Sequence, residues 1–325
     1  MTVSGDGLIH EVVNGLCTRD DWKQFKETIT IGCIPGGTAN GLVKSLLDHT
    51  GEKFSVLDAT FKVAKGVRRH MDITELTMEY EKNKVYSFLA VAWSIIADCD
   101  INSEAIRCIG SARFTIWGVW RTLFKRHYQG SLRFRGKHIR NRNEVDTNEE
   151  AKGQAMIDST NEPLITEKTE VNNQDFMYFV AQNTPWLGDK FHTHPLSKIN
   201  DGQNDIVYLT FANGGTCRLA RTLIDQDNGE WFLEDGTVRN NDLGIEYVKC
   251  NNWELYPTVK GPAPADDSVR FEDSRHESKS SAGGLDEPEV PIQHQENAIF
   301  SIDGEKYKSQ SCKARSLKQY FPIYY

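Results

Sequence analysis

Two glycine-rich turns within the first forty residues constrain this chain more than any other feature. Thr2-Val3-Ser4 is β-prone and runs into Gly5-Asp6-Gly7, after which Leu8, Ile9, Val12, Val13 and Leu16 recur at helical spacing. The spacing predicts strand, tight loop, helix. A second strand-like run, Ile29 to Ile34, leads into Pro35-Gly36-Gly37-Thr38-Ala39-Asn40. Glycine permits positive φ and lets a ligand reach the backbone, and the free N–H groups that open a helix suit an anion such as phosphate. Thr38 and Asn40 add side-chain hydrogen bonds for phosphate oxygens. Two such loops in succession predict one nucleotide site, with Ser4, Gly5, Gly7, Gly36, Gly37, Thr38 and Asn40 around the phosphates. Asp6 is the oddity there, because a carboxylate repels phosphate unless it binds a metal or takes a proton from a nucleophile. An Asx-type turn capping the helix at Leu8 is the plainer alternative.

A length of 325 residues allows two packed cores. With 46 acidic against 38 basic side chains the net charge is -8, so no global basic excess exists to neutralise a nucleic acid. Seven cysteines, Cys17, Cys33, Cys99, Cys108, Cys217, Cys250 and Cys312, are odd in number and form no CxxC pair, which fits a reducing compartment. The N-terminus shows no basic stretch followed by an apolar one, and the most apolar run, Tyr86 to Ala97, is too short to span a bilayer. A cytoplasmic protein with peripheral membrane contact is expected.

Residues 1–70 alternate strand and helix, Phe54 to Val63 among the helices, and read as a partial α/β lobe. About seventy residues of this kind are marginal as an independent core. Residues 71–325 carry short runs of Val, Ile, Tyr, Phe and Trp bounded by Gly, Asn and Asp: Ile73 to Met78, Val85 to Ile96, Phe176 to Ala181, Asp205 to Ala212, Gly244 to Val248, Asn252 to Pro257 and Ala298 to Ile302. That pattern predicts an antiparallel β-sandwich, with helices at Phe114 to Arg126 and Cys217 to Asp225. Residues 141–173 and 260–295 are too polar to offset their ordering entropy and are expected to be disordered inserts.

Several side chains suggest chemistry. If the strand through Tyr86 to Ala97 persists, alternation puts Asp98 and Asp100 on one face, placed to pair an ammonium. A solvated strand end is the alternative. Arg107 and Arg113 could fork onto phosphate oxygens, although single arginines are commonly just solvated. Asp303-Gly304-Glu305 alone is a hairpin turn. Ile116, Trp117, Trp120, Leu123 and Phe124 form an apolar stripe beside Arg121, Lys125 and Arg126, which fits a membrane surface, a calmodulin-type partner at 113–126, or burial in its own lobe. His192 and His194 lack acidic or cysteine companions at ligand spacing and read as loop residues.

SGDGLIHEVVNGL followed by PGGTANGLVKSL resembles the diacylglycerol kinase catalytic superfamily, and the His10-Glu11…Asn14-Gly15-Leu16 continuation resembles its sphingosine kinase branch. The likeness covers the start, residues 86–136 and the C-terminal strands. It implies an α/β nucleotide lobe followed by a β-sandwich lipid lobe, with ATP and Mg²⁺ in the cleft between them. It implies further that the primary hydroxyl of sphingosine or a related long-chain base is phosphorylated. In that resemblance Asp6 is the general base, Glu11 sits at the adenosine end, and Arg107 and Arg113 match an RxxGxxR-like arrangement on the phosphates. Phe300 to Glu305 matches FxxDGE, with Asp303, Gly304 and Glu305 closing the nucleotide side through Mg²⁺ or by orienting the arginines. Asp100, second of the ADxD element, holds the lipid amine, with Asp98 beside it. Phe114, Leu219 and Leu223 meet the lipid chain. Ala90 stands where sphingosine kinases place a head-group serine. The superfamily also has a βαβ portion with an NP-x-GG loop ahead of SGDG. These 325 residues do not contain it, so a fragment or a short isoform with one wall missing is expected. Ceramide and diacylglycerol carry no ammonium, so the aspartate pair argues against them. A catalytically inactive binding chain is the other alternative.

Overall fold

The computed structural model describes residues 1–103, 117, 118, 120, 126–144, 168–258 and 298–325. Strands β1 (Thr2–Ser4) and β2 (Cys33–Pro35) pair in parallel. Helix α1 (Asp6–Cys17) leaves the first glycine turn and buries Ile9, Val13 and Cys17, spaced four apart along one face. After α2 (Trp22–Phe25), helix α3 (Gly41–His49) leaves the second turn. Helix α4 (Val56–Lys65) starts where the Ser55 side chain accepts the Asp58 N–H and stops at Gly66, whose φ is +67°. The predicted strand–loop–helix order therefore occurs twice.

An antiparallel system follows: β3 (Arg68–Met78), β4 (Val85–Ser87), β5 (Ala90–Ser94), helix α5 (Ile95–Asn102), β6 (Gln129–His138), β7 (Lys168–Gln182) and β8 (Asn204–Thr210). Helices α6 (Thr216–Asp225) and α7 (Asn240–Leu243) precede β9 (Ile245–Pro257), β10 (Ile299–Ile302), β11 (Glu305–Lys308) and β12 (Cys312–Tyr324). The strand order is β11-β10-β5-β7-β6-β9-β12-β3-β4, and β8 pairs with both β7 and β9. Because β6 also pairs with both, β6, β7, β8 and β9 close a ring. Its interior is aromatic, with Trp93, Phe134, Phe176, Phe179 and Trp253 fully buried.

The fold is thus an α/β start followed by a sheet-rich part with few helices, as expected. Three local expectations change. The run Val85 to Ile96 is not one strand: it breaks after Ser87, resumes at Ala90, and turns helical at Ile95. Residues 244–248 and 252–257 belong to one continuous β9. Lys168 to Asn173, expected to be disordered, open β7, where pairing with β6 satisfies the backbone and the polar side chains face outward. Asn141 likewise bridges to Thr237. The Arg142 N–H donates to the Gly236 carbonyl at 2.9 Å, while residues 145–167 of the first insert and all of the second lie outside the described residues.

The end of β12 ties the two parts together. Ile323 bridges to Ile31 beside β2, the Tyr324 N–H donates to the Ile31 carbonyl at 2.9 Å, and Phe321 stacks on Trp22 at 5.5 Å between ring centres. Among the described residues no helix is long and apolar enough to cross a membrane.

Candidate active site

The two glycine turns lie against each other. A Cβ added to Gly37 would sit 2.3 Å from the Gly5 Cα, and one added to Gly5 would sit 3.1 Å from the Gly37 Cα. Only glycine lets these backbones approach so closely. The Gly36 N–H donates to the Ser4 carbonyl at 3.0 Å, and the Ser4 hydroxyl donates to the Gly5 carbonyl at 3.0 Å. Gly36, Gly37 and Thr38 are exposed, so the paired loops present backbone to solvent. Asn40 does not share that role. It is buried at φ +52°, its Oδ1 accepts the Gly37 N–H at 2.9 Å and its Nδ2 donates to the Gly37 carbonyl at 2.6 Å. The carboxamide is used to close the turn, which corrects its expected position on phosphate.

Asp6 opens α1 without capping it. Its carboxylate reaches across to α3 and accepts the N–H groups of Gly41 at 2.8 Å and Leu42 at 3.2 Å. It therefore caps a different helix from the one expected, a stabilising place for an anion. Burial pushes its pKa up to about 6, the two N–H bonds pull the other way, and the charge of Asp303 adds to the rise.

Asp303 and Gly304 turn the β10–β11 hairpin with φ of +52° and +92°. The hairpin delivers Glu305 to the first loop: a Cβ on Gly7 would lie 2.8 Å from the Glu305 Oε1. Asp303 itself is buried and its oxygens are occupied. They accept the Ser87 hydroxyl at 2.7 Å and the N–H groups of Phe88, Leu89 and Ala90 at 3.2, 3.0 and 3.0 Å, and one lies 2.8 Å from the His10 Nδ1. This corrects the expectation that Asp303 faces Mg²⁺ or the arginines. His10 Nε2 lies 2.8 Å from the Tyr307 hydroxyl. Burial works against a charged imidazole, but the hydrogen bond and charge of Asp303 outweigh it, with Glu305 and Glu11 adding, and the His10 pKa is raised. One turn on, Asn14 donates to the Tyr86 carbonyl and accepts the Tyr86 N–H, both at 2.8 Å, so its carboxamide docks α1 on β4 as a backbone would. No role was foreseen for His10, Asn14, Ser87 or Tyr307. For His10 and Asn14 the signal is an i, i+4 polar pair on the inner face of α1; Ser87 and Tyr307, on β4 and β11, carry none. Glu11 lies exposed on α1.

The aspartate pair does not share a face. Ser94, at φ +63°, turns the chain from β5 into α5, and residues two apart on a helix point in nearly opposite directions. Asp98 is buried, with the Arg126 Nη1 at 3.2 Å and the Tyr128 hydroxyl donating to it. Asp100 accepts the Ser301 hydroxyl of β10. Arg126 and Tyr128 also line a cavity of about 20 Å³ with Ile95, Met177, Phe211 and Leu219, so Leu219 is brought to the partners of Asp98. That is room for about one water. Leu223 packs on the core, 3.7 Å from a Cβ built on Gly118. Arg107, Arg113 and Phe114 lie outside the described residues. Of the apolar stripe, Trp117 packs against the core and Trp120 is half exposed.

A loop from the sheet-rich part braces the second glycine turn. The Asp189 N–H donates to the Ala39 carbonyl at 2.7 Å, the Leu187 carbonyl leaves no space for a side chain at Gly41, and Lys44 lies over the Trp186 ring at 4.1 Å. His192 stacks on Trp186, and His194 is buried against the Val180 carbonyl. Among the described residues no group of three or more His, Cys, Asp or Glu side chains could hold a metal.

Residues 1–76 match the diacylglycerol kinase catalytic domain. Sphingosine kinase 1 of Arabidopsis thaliana is 34% identical over 223 residues, covering 64% of this chain and 44% of that protein. Sphingoid long chain base kinase 4 of Schizosaccharomyces pombe is 30% identical over 273 residues, covering 80% of this chain and 55% of that protein. The chain therefore spans about half the length of these relatives. A putative diacylglycerol kinase from Bacillus anthracis superposes with a TM-score of 0.58 at 14% identity, over 99% of this chain and 75% of that one, which shows the shared fold. This chain belongs to the diacylglycerol-kinase-like superfamily, and its sequence relatives are sphingoid base kinases.

Proposed function

We propose that this member of the superfamily transfers a phosphoryl group from ATP to the primary hydroxyl of sphingosine or a related long-chain base. The observation that carries the reading is the meeting of Gly5, Gly37, Asp6 and Glu305 in one place. The paired loops fit a nucleotide: their backbones approach closer than any Cβ allows, and the N–H groups that open α1 have no partner within the helix. Phosphoryl transfer depends mainly on such alignment and charge neutralisation. The N–H groups that open α3 are already used by Asp6, and those of Gly36 and Gly37 by the Ser4 carbonyl and Asn40, so the α1 end, with exposed Thr38 beside it, is the natural cradle.

Glu305 is the exposed carboxylate at this cradle and would hold Mg²⁺, a metal that takes one or two carboxylates and completes its shell with phosphate oxygens and water. Bound there, it would neutralise charge on the transferring group. Asp6, with a pKa of about 6, is mostly ionised at neutral pH and suited to take the proton of the lipid hydroxyl. Asp100 would pair with the lipid ammonium, and Leu219 and Leu223 would line the chain. We assign Arg107 and Arg113 to the phosphates, and contact with a membrane surface or a calmodulin-type partner to 113–126, on resemblance alone.

The test is ATP-dependent phosphate transfer to sphingosine, ceramide and diacylglycerol in parallel. Sphingosine should be the product-forming lipid, with Asp6→Asn slowing transfer by about 10²-fold or more. Silence on all three lipids, or an Asp6→Asn variant as fast as the parent, would sink the reading.

A further inference from the structure

The outer face of the sheet carries an arrangement of charge that the kinase reading does not use. Registered pairing across five strands aligns two rows of side chains on one face. One row runs Glu170, Arg133, Glu254, Lys313, Thr77 and alternates in sign. The next runs Lys168, Arg135, Asn252, Arg315, Glu75, with three cations before any carboxylate. Lys168 and Arg135 are direct cross-strand partners, a like-charge placement that costs stability. These rows line a groove of about 570 Å³ with six cations, Lys84, Arg133, Arg135, Lys168, Lys313 and Arg315, against two carboxylates, Glu75 and Glu254. The protein as a whole has the opposite balance, a net charge of -8.

Four of these cations are paired: Lys84 and Arg315 with Glu75, at 2.6 and 3.0 Å, and Lys168 and Arg133 with Glu170, at 2.8 and 3.4 Å. Arg135 and Lys313 have no ion-pair partner among the described residues and stand exposed. Arg135 stands in the second row between Lys168 and Asn252. Neighbouring strands lie ~4.8 Å apart, so Lys168 to Arg315 covers about 14 Å. The floor residues Phe134, Trp253 and Ala314 point into the core and are buried, so the groove has no apolar side chain to insert into a bilayer.

We propose that this groove binds a soluble, multiply phosphorylated anion, laid across β7, β6, β9 and β12 with Arg135 and Arg315 forking onto separate phosphates. Guanidinium groups suit this because they hold phosphate bidentately and keep their charge. A polyanion here also removes the cross-strand repulsion that the empty face carries.

The experiment uses the whole chain and inositol hexakisphosphate as probe, titrated by calorimetry at about 50 mM and about 200 mM salt. Saturable binding that weakens at the higher salt is expected. Arg135→Gln with Arg315→Gln should lower affinity by ~10-fold or more, whereas Asp6→Asn should leave it unchanged. Thermal unfolding without probe separates binding from folding: Arg135→Gln alone should melt at the parent temperature or above it, because it relieves the Lys168 contact, and should lose most of the probe-induced rise. Absence of saturable binding, equal affinity in the double variant, or a fall in its affinity matched by Asp6→Asn would overturn the proposal. Vesicles of phosphatidylserine and phosphatidylcholine form the second arm. Arginine-dependent sedimentation with them, and no binding of the soluble probe, would assign the face to a bilayer instead.

Discussion

Ser94 occupies a backbone conformation, φ +63° and ψ -139°, that is essentially restricted to glycine. Its side chain gives nothing back, since the hydroxyl is buried with no hydrogen-bond partner. The turn is nonetheless required, because it converts β5 into α5 and so points Asp98 and Asp100 to different neighbours. Ser94→Gly should keep the turn and stabilise the chain by about 1 kcal/mol, measured from the urea midpoint. A less stable glycine variant would mean that the serine holds a contact the geometry does not reveal. Asp6 is a different kind of cost. Its buried carboxylate is offset by two N–H donors at the end of α3 and, among the described residues, by no cation.

At the scale of elements, α1 is fastened to the sheet by a polar clasp: His10 on Asp303 and Tyr307, and Asn14 on the Tyr86 backbone. The same Asp303 draws in the N–H groups of Phe88, Leu89 and Ala90, which is why the run from Val85 does not continue as one strand. His10→Ala removes the partner of a buried carboxylate and should cost about 3 kcal/mol in urea unfolding. It should also lower transfer, because α1 carries Asp6. A loss below half that value would mean the backbone donors hold Asp303 unaided. The clasp also marks the limit of what was legible beforehand. The glycine turns, α1, α3 and α4 are local, written in spacing and caps over a dozen residues. The break at Ser87 depends on a carboxylate more than two hundred residues downstream, and the helix at Ile95 on a positive φ at a serine, neither of which a local pattern announces. Strand β12 was missed for a related reason: Lys313-Ala314-Arg315-Ser316 has little intrinsic strand character and becomes a strand through β3 and β9 on either side. Within the site, Gly5, Gly37 and Glu305 could be assembled from motifs, but the occupied carboxylate of Asp303 and the turn-closing amide of Asn40 required coordinates.

The molecule as a whole should lose stability as pH rises through neutrality. Burial raises Asp6 to about 6 and Asp72 to about 7, where the Asp72 carboxylate accepts the N–H groups of Gly202 and Gln319. A carboxyl with a raised folded pKa binds its proton more tightly in the folded state. Its contribution is complete below about pH 4, the unfolded value, and is lost as pH climbs through 6 and 7. His10, also raised, works in the same direction above its unfolded value of about 6.5. Buried His194, lowered to about 3, opposes this up to its unfolded value of about 6.5, whereas the lowered exposed carboxyls such as Asp21, Glu52 and Glu170 act only below about pH 5. Thermal unfolding should therefore move to lower temperature between about pH 6.5 and pH 8. Asp6→Asn with Asp72→Asn should flatten most of that slope and raise the melting temperature at pH 8. An unchanged slope in the double variant would place the pH dependence elsewhere.

The pairing of β12 with Ile31, and of the β10–β11 hairpin with α1, has a consequence for synthesis. The glycine loops leave the ribosome well before the residues that brace them, Asp303, Glu305, Phe321 and Ile323, which are translated nearly three hundred codons later. Throughout elongation the nascent loops have no hairpin against Gly7 and no strand beside Ile31. Contacts this distant in sequence form late and slowly. A growing chain therefore leaves the Gly7 end of α1 and the backbone beside Ile31 unbraced until β10 to β12 have followed, the kind of exposed edge that cotranslational chaperones shield.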